Sequence, residues 1–70
     1  MQSCLCITLN GKPREVRVGA TLADLLCELG LAEQSVAVEK NHALVRRSDR
    51  ASTSLCAGDL IEVVTLVGGG

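Results

Sequence analysis

Apolar and polar residues alternate along both ends of the chain with a period of two, which is the pattern of a half-buried β-strand. The pattern predicts a first strand over residues 4–9 and a last strand over residues 60–67. The inward face of these two strands is assigned to Leu5, Ile7, Leu9, Ile61 and Val63. The outward face is assigned to Cys4, Cys6, Thr8, Val64 and Leu66. Both ends of the chain are therefore expected to lie in a sheet.

Two short turns predict three further strands. Asn10-Gly11 is a strong hairpin signal because both residues tolerate a positive φ. It leads, through Lys12-Pro13, to a second strand over residues 14–18. Asn41-His42 separates a third strand over residues 36–41 from a short fourth strand over residues 43–46.

A single segment, from Thr21 to Leu29, carries helical periodicity. Its apolar stripe consists of Leu22, Leu25, Leu26 and Leu29. These positions recur at i, i+3, i+4 and i+7, as on one face of an amphipathic helix. Thr21 and Asp24 resemble a capping box, and Gly30 is placed to end the helix in the left-handed conformation. The leucine stripe is expected to cover one face of the sheet.

The order strand, strand, helix, strand, short strand, strand predicts an α+β fold in which a mixed sheet of four to five strands packs on one helix. If the first and last strands pair in parallel at the centre of the sheet, the crossover between them carries the helix. Residues 51–57 are expected to form an irregular crossing with Leu55, together with Cys56, as its buried anchor. Gly58-Asp59 then turns the chain into the last strand.

Size and composition limit the classes of function. Seventy residues without Trp, Tyr or Phe make one small aliphatic domain. A substrate pocket needs about 300 Å³ or more, and a domain this small can hardly spare that volume. A carrier, adaptor or binding module is therefore favoured over an enzyme. The net charge of −1 disfavours nucleic-acid binding. The sequence shows no stretch of membrane-spanning length and no signal-peptide pattern, so a cytoplasmic location is predicted.

Four cysteines and one histidine are the candidate zinc ligands in the sequence. Cys4, Cys6, Cys27 and Cys56 are expected to be reduced thiols in the cytoplasm. Zinc sites favour cysteine pairs separated by two to four residues, whereas Cys4 and Cys6 are separated by one. A weak metal or redox site stays open, but small apolar core residues are the favoured interpretation. His42 is expected to be a solvated turn residue, and neither a metal site nor a catalytic residue is predicted.

One basic cluster, Arg46, Arg47 and Arg50, follows the fourth strand. The favoured interpretation is a solvated loop, because Asp49 lies within the cluster and dilutes its charge. The alternative is a contact with an acidic partner surface, which would raise the association rate more than the affinity.

The chain ends in three glycines directly after the last predicted strand. A passive extension or a cloning remnant is one explanation. The other is that the terminal carboxylate is the functional group, carried on a thin thread that lacks side chains. Such a thread can enter a narrow channel in a partner enzyme and bring its end to a reacting group.

The segments that carry a family resemblance are, in order, Leu9-Asn10-Gly11, Gly19 to Leu26, Leu29-Gly30-Leu31, Val36 to Asn41, Val45-Arg46-Arg47, Gly58 to Val64 and Val67 to Gly70. Together they resemble the ThiS-like sulfur carriers of thiamine biosynthesis, within the MoaD/ThiS family of ubiquitin-like β-grasp proteins. The resemblance implies a β-grasp domain over residues 1–67 and a flexible glycine tail over residues 68–70. The family requires a terminal Gly-Gly pair, which Gly69-Gly70 supply, and Gly68 is an additional glycine.

This resemblance implies a protein co-substrate rather than an enzyme. A ThiF-like adenylyltransferase would use its own ATP and Mg²⁺ to convert the Gly70 carboxylate into an acyl-adenylate. Sulfur from a cysteine desulfurase would displace AMP and leave a thiocarboxylate. A ThiG-like thiazole synthase would use that sulfur for the thiazole ring of thiamine. The carrier is expected to bind no cofactor itself, and the mechanism gives its four cysteines no role.

A sheet with one helix has a second face for partners to bind. The residues expected to form this docking surface are Val64, Leu66, Cys4 and Cys6, with Arg46, Arg47 and Arg50 at its rim. A covering loop or a homodimer contact is the alternative. Two other functions stay open: a MoaD-like carrier for molybdopterin synthesis, and a ubiquitin-like interaction module whose tail is passive or joins to a protein lysine.

Overall fold

Five strands and one α-helix make up the regular structure of residues 3–66, the part of the chain that the computed structural model describes. They are β1 (Cys4–Leu9), β2 (Lys12–Arg17), α1 (Leu22–Glu28), β3 (Val36–Lys40), β4 (Ala43–Val45) and β5 (Leu60–Thr65). Two 3₁₀ helices that the sequence did not predict, η1 (Glu33–Ser35) and η2 (Arg47–Ser52), flank β3 and β4. The predicted domain boundary at residue 67 and the tail of residues 68–70 lie outside the described residues.

The last strand lies at the centre of the sheet, whose strand order is β2-β1-β5-β3-β4. β5 runs parallel to β1, with Leu9 opposite Ile61, and antiparallel to β3, with Val38 opposite Val63. The hairpins β1–β2 and β3–β4 are antiparallel. The predicted mixed sheet is therefore confirmed, and its first and last strands do pair in parallel.

Both hairpins have two-residue turns with positive φ. Asn10 and Gly11 have φ of 50° and 83°, as a type I′ turn requires. Lys12 already pairs with Leu9, so Lys12 and Pro13 belong to β2 rather than to the connection, and the predicted start of this strand at residue 14 is wrong. Pro13 is tolerated in the ladder because β2 is an edge strand.

Strand ends elsewhere fall within two residues of the prediction. β3 ends at Lys40 because Asn41 and His42, with φ of 53° and 71°, form the second turn. β4 ends at Val45 because the chain turns there into η2. β5 ends at Thr65.

Local signals position the helix as predicted. The Thr21 hydroxyl accepts a hydrogen bond from the Asp24 N–H at 3.1 Å, and the Asp24 carboxylate accepts one from the Thr21 N–H at 2.9 Å, which completes the capping box. At the other end, Gly30 has a φ of 72°. The N–H of Leu31 donates to the Leu26 carbonyl, and the N–H of Gly30 donates to the Cys27 carbonyl, as in a Schellman motif.

The core lies between the helix and one face of the sheet. Its buried apolar residues are Ile7, Val16, Leu22, Leu25, Leu26, Val36, Val38, Leu55 and Ile61. Leu29 is half-buried against them, so the predicted leucine stripe is confirmed, and Leu55 is the buried anchor of the crossing. Cys56, by contrast, is exposed, because its backbone N–H rather than its side chain turns inward to bind Asp59.

Candidate functional site

The second half of β5 leads toward the C-terminal residues, and Asn10 holds it from the β1 side. Ladder pairing between β1 and β5 ends at Ile61. Two residues farther along β5, the Asn10 side chain makes the hydrogen bonds that a continued β1 would have made. Its Oδ1 accepts the Val63 N–H at 2.8 Å, and its Nδ2 donates to the Val63 carbonyl at 3.2 Å. The sequence identified Asn10 only as a turn residue. Its partner lies 53 positions away, so no local pattern could have shown the second role.

From the other side, β3 and η1 hold the same segment. Thr65 pairs with Val36, the first residue of β3. Leu66 then donates its N–H to the Ser35 carbonyl at 2.7 Å, although it lies outside the strand. The chain is thus anchored through Leu66, four positions before Gly70.

The beginning of β5 is fixed by a buried carboxylate, Asp59. One of its oxygens accepts the Cys56 N–H at 2.8 Å, and the other accepts the Asn41 side-chain amide at 3.1 Å. Lys40 Nζ lies 3.8 Å from the carboxylate. Asn41 in turn accepts the Leu60 N–H at 2.9 Å. Two asparagines in left-handed turns, Asn10 and Asn41, therefore hold the strand near its two ends.

The outward face of the sheet carries exposed apolar side chains within the described residues. Strand pairing places Leu60, Val64, Ala37 and Leu44 on this face, opposite the core. Leu44 is 70% exposed, Val64 58% and Leu60 40%, and Leu66 just beyond the strand is 54% exposed. Three glutamates share the face, namely Glu15, Glu39 and Glu62. An exposed apolar row of this kind is typical of a protein-binding surface.

The predicted docking residues do not form one patch, because they lie at two ends of the sheet. Cys6 lies beside Gly58, whose N–H donates to the Cys6 carbonyl at 2.9 Å just before β5 begins. From the level of Gly58 to Val64 the strand rises about 20 Å. Cys4 is farther still from Val64, because β1 and β5 run parallel. Only Val64 and Leu66 of the apolar set lie at the end where the chain leaves the sheet.

Arg46 and Arg47 lie near that end. They follow Val45, which pairs with Val38, and Val38 pairs with Val63 of β5. Two strand spacings separate β4 from β5, a distance of about 10 Å. Both arginines are exposed, as a rim around Val64 and Leu66 requires. Their docking role stays a prediction.

Arg50 does not belong to this exposed rim, and the expectation of a solvated cluster of three arginines is wrong for it. Its residue surface is only 4% exposed. Its Nη1 donates to the Glu33 carbonyl at 2.6 Å, and its Nη2 donates to the Val36 carbonyl at 2.8 Å. Two backbone carbonyls from η1 and β3 thus replace the water that a surface arginine would bind.

The expectation that cysteines fill the core is also wrong. Cys6, Cys27 and Cys56 are exposed free thiols, and Cys4 is half-buried. Within residues 3–66, no group of three or more His, Cys, Asp or Glu side chains lies close enough to share a metal ion. His42 is an exposed turn residue, as predicted.

A shallow open depression of about 400 Å³ lies between the end of β2 and α1. The residues that line it are Arg17, Val18, Gly19, Ala20, Asp24, Cys27 and Glu28. It lies at the level of Cys4, which pairs with Arg17, so it is remote from Leu66. Because it is on the surface, it takes no volume from the core. None of the helices within residues 3–66 has the length and apolar character that crossing a membrane requires.

A mixed five-stranded sheet with one main helix, and with the last strand inserted beside the first, defines a ubiquitin-like β-grasp domain. Its outward face and the exit of β5 together form a candidate protein-binding site. The ThiS family model matches residues 7–70, and the chain belongs to this family.

Relatives and a solved structure agree with this assignment. The sulfur carrier protein ThiS of Bacillus subtilis is 35% identical over 65 residues, which cover 91% of this chain and 98% of the relative. A crystal structure of the thiamine biosynthesis protein ThiS from Geobacter metallireducens superposes with a TM-score of 0.80 at 32% identity, covering 94% of this chain and all of that one. A thiazole synthase from Magnetococcus marinus is 47% identical over 64 residues, or 91% of this chain. The chain spans only about a fifth of that enzyme's length.

Proposed function

We propose that the chain is a sulfur carrier in the synthesis of the thiazole ring of thiamine, with Gly70 as the residue that bears the sulfur. The observation that carries the proposal is the ThiS family match, which continues through residue 70 past the anchored end of β5. It favours the thiazole pathway over a molybdopterin carrier and over an interaction module with a passive tail. Three residues, Val67 to Gly69, separate the anchored Leu66 from Gly70, the proposed site of chemistry.

In this proposal the chain acts as a protein co-substrate and contributes no catalytic residue. The Gly70 carboxylate, ionised near neutral pH, attacks the α-phosphate of ATP in a ThiF-like adenylyltransferase that holds Mg²⁺, and pyrophosphate leaves. The resulting acyl-adenylate is the electrophile. A persulfide from a cysteine desulfurase displaces AMP, and a thiol then cleaves the acyl disulfide to release the thiocarboxylate. Gly68 and Gly69 provide the narrow thread on which this end enters the enzyme.

A ThiG-like thiazole synthase is the proposed acceptor of the sulfur. The similarity to the Magnetococcus marinus thiazole synthase supports this partner, because a segment like this chain accounts for a fifth of that protein. Cys6, Cys27 and Cys56 are exposed free thiols, the state expected of proteins in a reducing compartment. The proposal therefore places the carrier in the cytoplasm.

The docking surface proposed for the adenylating enzyme is centred on Val64 and Leu66, with Arg46 and Arg47 at its edge. Val64 and Leu66 are both more than half exposed, and they lie at the end of the sheet where the tail begins. A partner that contacts them brings its active site within reach of Gly70. The partner surface that fits is apolar with acidic groups at its rim. Cys4 and Cys6 lie at the far end and belong to this surface only if the partner covers the whole face.

Intact-mass spectrometry tests the carrier chemistry. The protein is incubated with the adenylating enzyme, ATP, Mg²⁺, a cysteine desulfurase, cysteine and a reducing thiol. Replacement of one oxygen by sulfur adds about 16 Da, as expected for an activated carboxyl group. A variant that lacks Gly69 and Gly70 is expected to stay unmodified, whereas His42→Ala, in an exposed turn at the other end of the sheet, is expected to react normally. An unchanged mass with a demonstrably active enzyme would refute the proposal.

The docking surface has its own test. Val64→Arg is expected to raise the KM for the carrier in the adenylation reaction about tenfold or more, because it places a charge in an apolar contact. Leu60→Arg is the matched control, since Leu60 lies on the same face of the same strand about 13 Å away. Equal effects of the two substitutions would show that the contact is not centred on the exit of the tail.

A further inference from the structure

Arg50 is a buried cation whose hydrogen bonds go to the backbone of a distant segment. It is 4% exposed, and its guanidinium donates to the carbonyl of Glu33 at 2.6 Å and to that of Val36 at 2.8 Å. Within residues 3–66, no carboxylate lies within 4 Å of it. Its buried Nε finds no hydrogen-bond partner among the described residues. A cation buried in this way is costly, and an apolar side chain of similar size would fill the same space without the desolvation.

The two carbonyls that Arg50 binds lie on either side of Ser35. The Ser35 carbonyl accepts the N–H of Leu66 at 2.7 Å, the last hydrogen bond that the described chain makes before its C-terminal residues. Val36, one of the two acceptors, also faces Thr65 across the β3–β5 ladder. Arg50 therefore fixes the short segment against which the end of β5 is held.

We propose that Arg50 is a positioning residue for the C-terminal tail. By binding the carbonyls of Glu33 and Val36 with one rigid fork, it fixes the Ser35 carbonyl and hence the place and direction in which the chain leaves the sheet. The four residues after Leu66 can span at most about 14 Å. A shift in the position of Leu66 therefore cannot be offset by extending the tail. This inference rests on the proposed function, because the direction in which the tail leaves the sheet matters only if its end must reach an active site.

The proposal predicts a local loosening when the fork is removed. In Arg50→Met, the amide of Leu66 is expected to exchange with solvent about tenfold faster, while the amide of Val63 keeps its protection. In adenylation, kcat is expected to fall about fivefold to tenfold while the KM for the carrier changes less than twofold, because Val64, which is held inside the ladder opposite Ala37, still presents its part of the docking surface. Arg50→Lys, which keeps the charge but not the fork, is expected to lose most of the same kcat.

Two controls separate positioning from general destabilisation. Arg17→Met makes the same change at an exposed site and is expected to alter neither readout. Val38→Ala weakens the buried core and is expected to lower the melting temperature without a selective change at Leu66. If folded Arg50→Met and Arg50→Lys both keep normal exchange at Leu66, or lose protection uniformly along β5, the inference is wrong. The exchange measurement needs no partner enzyme, so a failure of adenylation in the unsubstituted protein would count against the proposed function separately.

Discussion

Replacing Asn10 by glycine removes the side chain that continues the β1–β5 pairing beyond Ile61. Glycine keeps the positive φ of 50° that the turn requires, so the hairpin backbone itself is undisturbed. What disappears is the pair of hydrogen bonds to the N–H and carbonyl of Val63, at 2.8 and 3.2 Å. The substitution therefore isolates the hold of one side chain on the central strand.

The magnitude follows from the two bonds. Each hydrogen bond contributes a net free energy of about 0.5–1.5 kcal/mol, and the exposed position of Asn10 favours the lower half of that range. The expected loss in the free energy of unfolding is about 1.5 kcal/mol. In a domain of this size, that loss lowers the melting temperature by about 6–12 °C.

His42→Gly is the matched control. His42 occupies the other two-residue turn at a φ of 71°, is exposed, and makes no side-chain hydrogen bond within the described structure. The backbone effects of introducing glycine are therefore shared, and the difference between the two variants reports the Asn10 side chain alone. Urea denaturation followed by circular dichroism gives both free energies of unfolding. If Asn10→Gly loses no more stability than His42→Gly, the side-chain bridge contributes nothing and the reasoning is refuted.

Three further variants test other parts of the structure by the same denaturation assay. Thr21→Ala removes the hydroxyl of the capping box and is expected to cost about 1 kcal/mol; no loss would show that the cap is dispensable. Asp59→Ala leaves the Cys56 N–H and the Asn41 amide without their acceptor and is expected to lower the free energy of unfolding by about 2–3 kcal/mol. A smaller loss than that of Thr21→Ala would contradict the assignment of Asp59 as the anchor of β5. Leu44→Ser, at a side chain that is 70% exposed, is expected to change stability by less than about 0.5 kcal/mol, and a larger loss would show that the outward face is covered in solution.

Local chemistry accounts for what the sequence predicted correctly. The Asn10-Gly11 turn, the Thr21 cap and the Gly30 stop each depend on residues within five positions of one another, so their signals are readable in the chain itself. The alternation in β5 likewise separates the buried Ile61 from the exposed Val64. These local signals agree with one another and give the order of strands and helix. That order was enough to predict the fold.

Distant contacts account for what was missed. Arg50 lies in a charged stretch that is typical of a solvated loop, and only the carbonyls of Glu33 and Val36, 17 and 14 positions earlier, make its burial tolerable. The separation of Cys6 from Val64 has a similar origin, since it depends on the parallel register between the first and last strands. Alternation assigns a residue to a face, but only the register places it along that face.

The central position of β5 also has a consequence for biosynthesis. Until Leu60–Thr65 is inserted, the hairpins β1–β2 and β3–β4 share no ladder, because β5 is the strand that joins them. The middle of the sheet is therefore among the last parts of the domain to be made, and the sheet can close only after the ribosome has released that strand. A chain in which β5 is not inserted cannot form the continuous outward face, because the strands on either side of β5 then share no ladder. Under the proposed function, an enzyme that recognises this face would bind only chains in which β5 has been inserted into the sheet, so folding itself would determine which complete chains are activated.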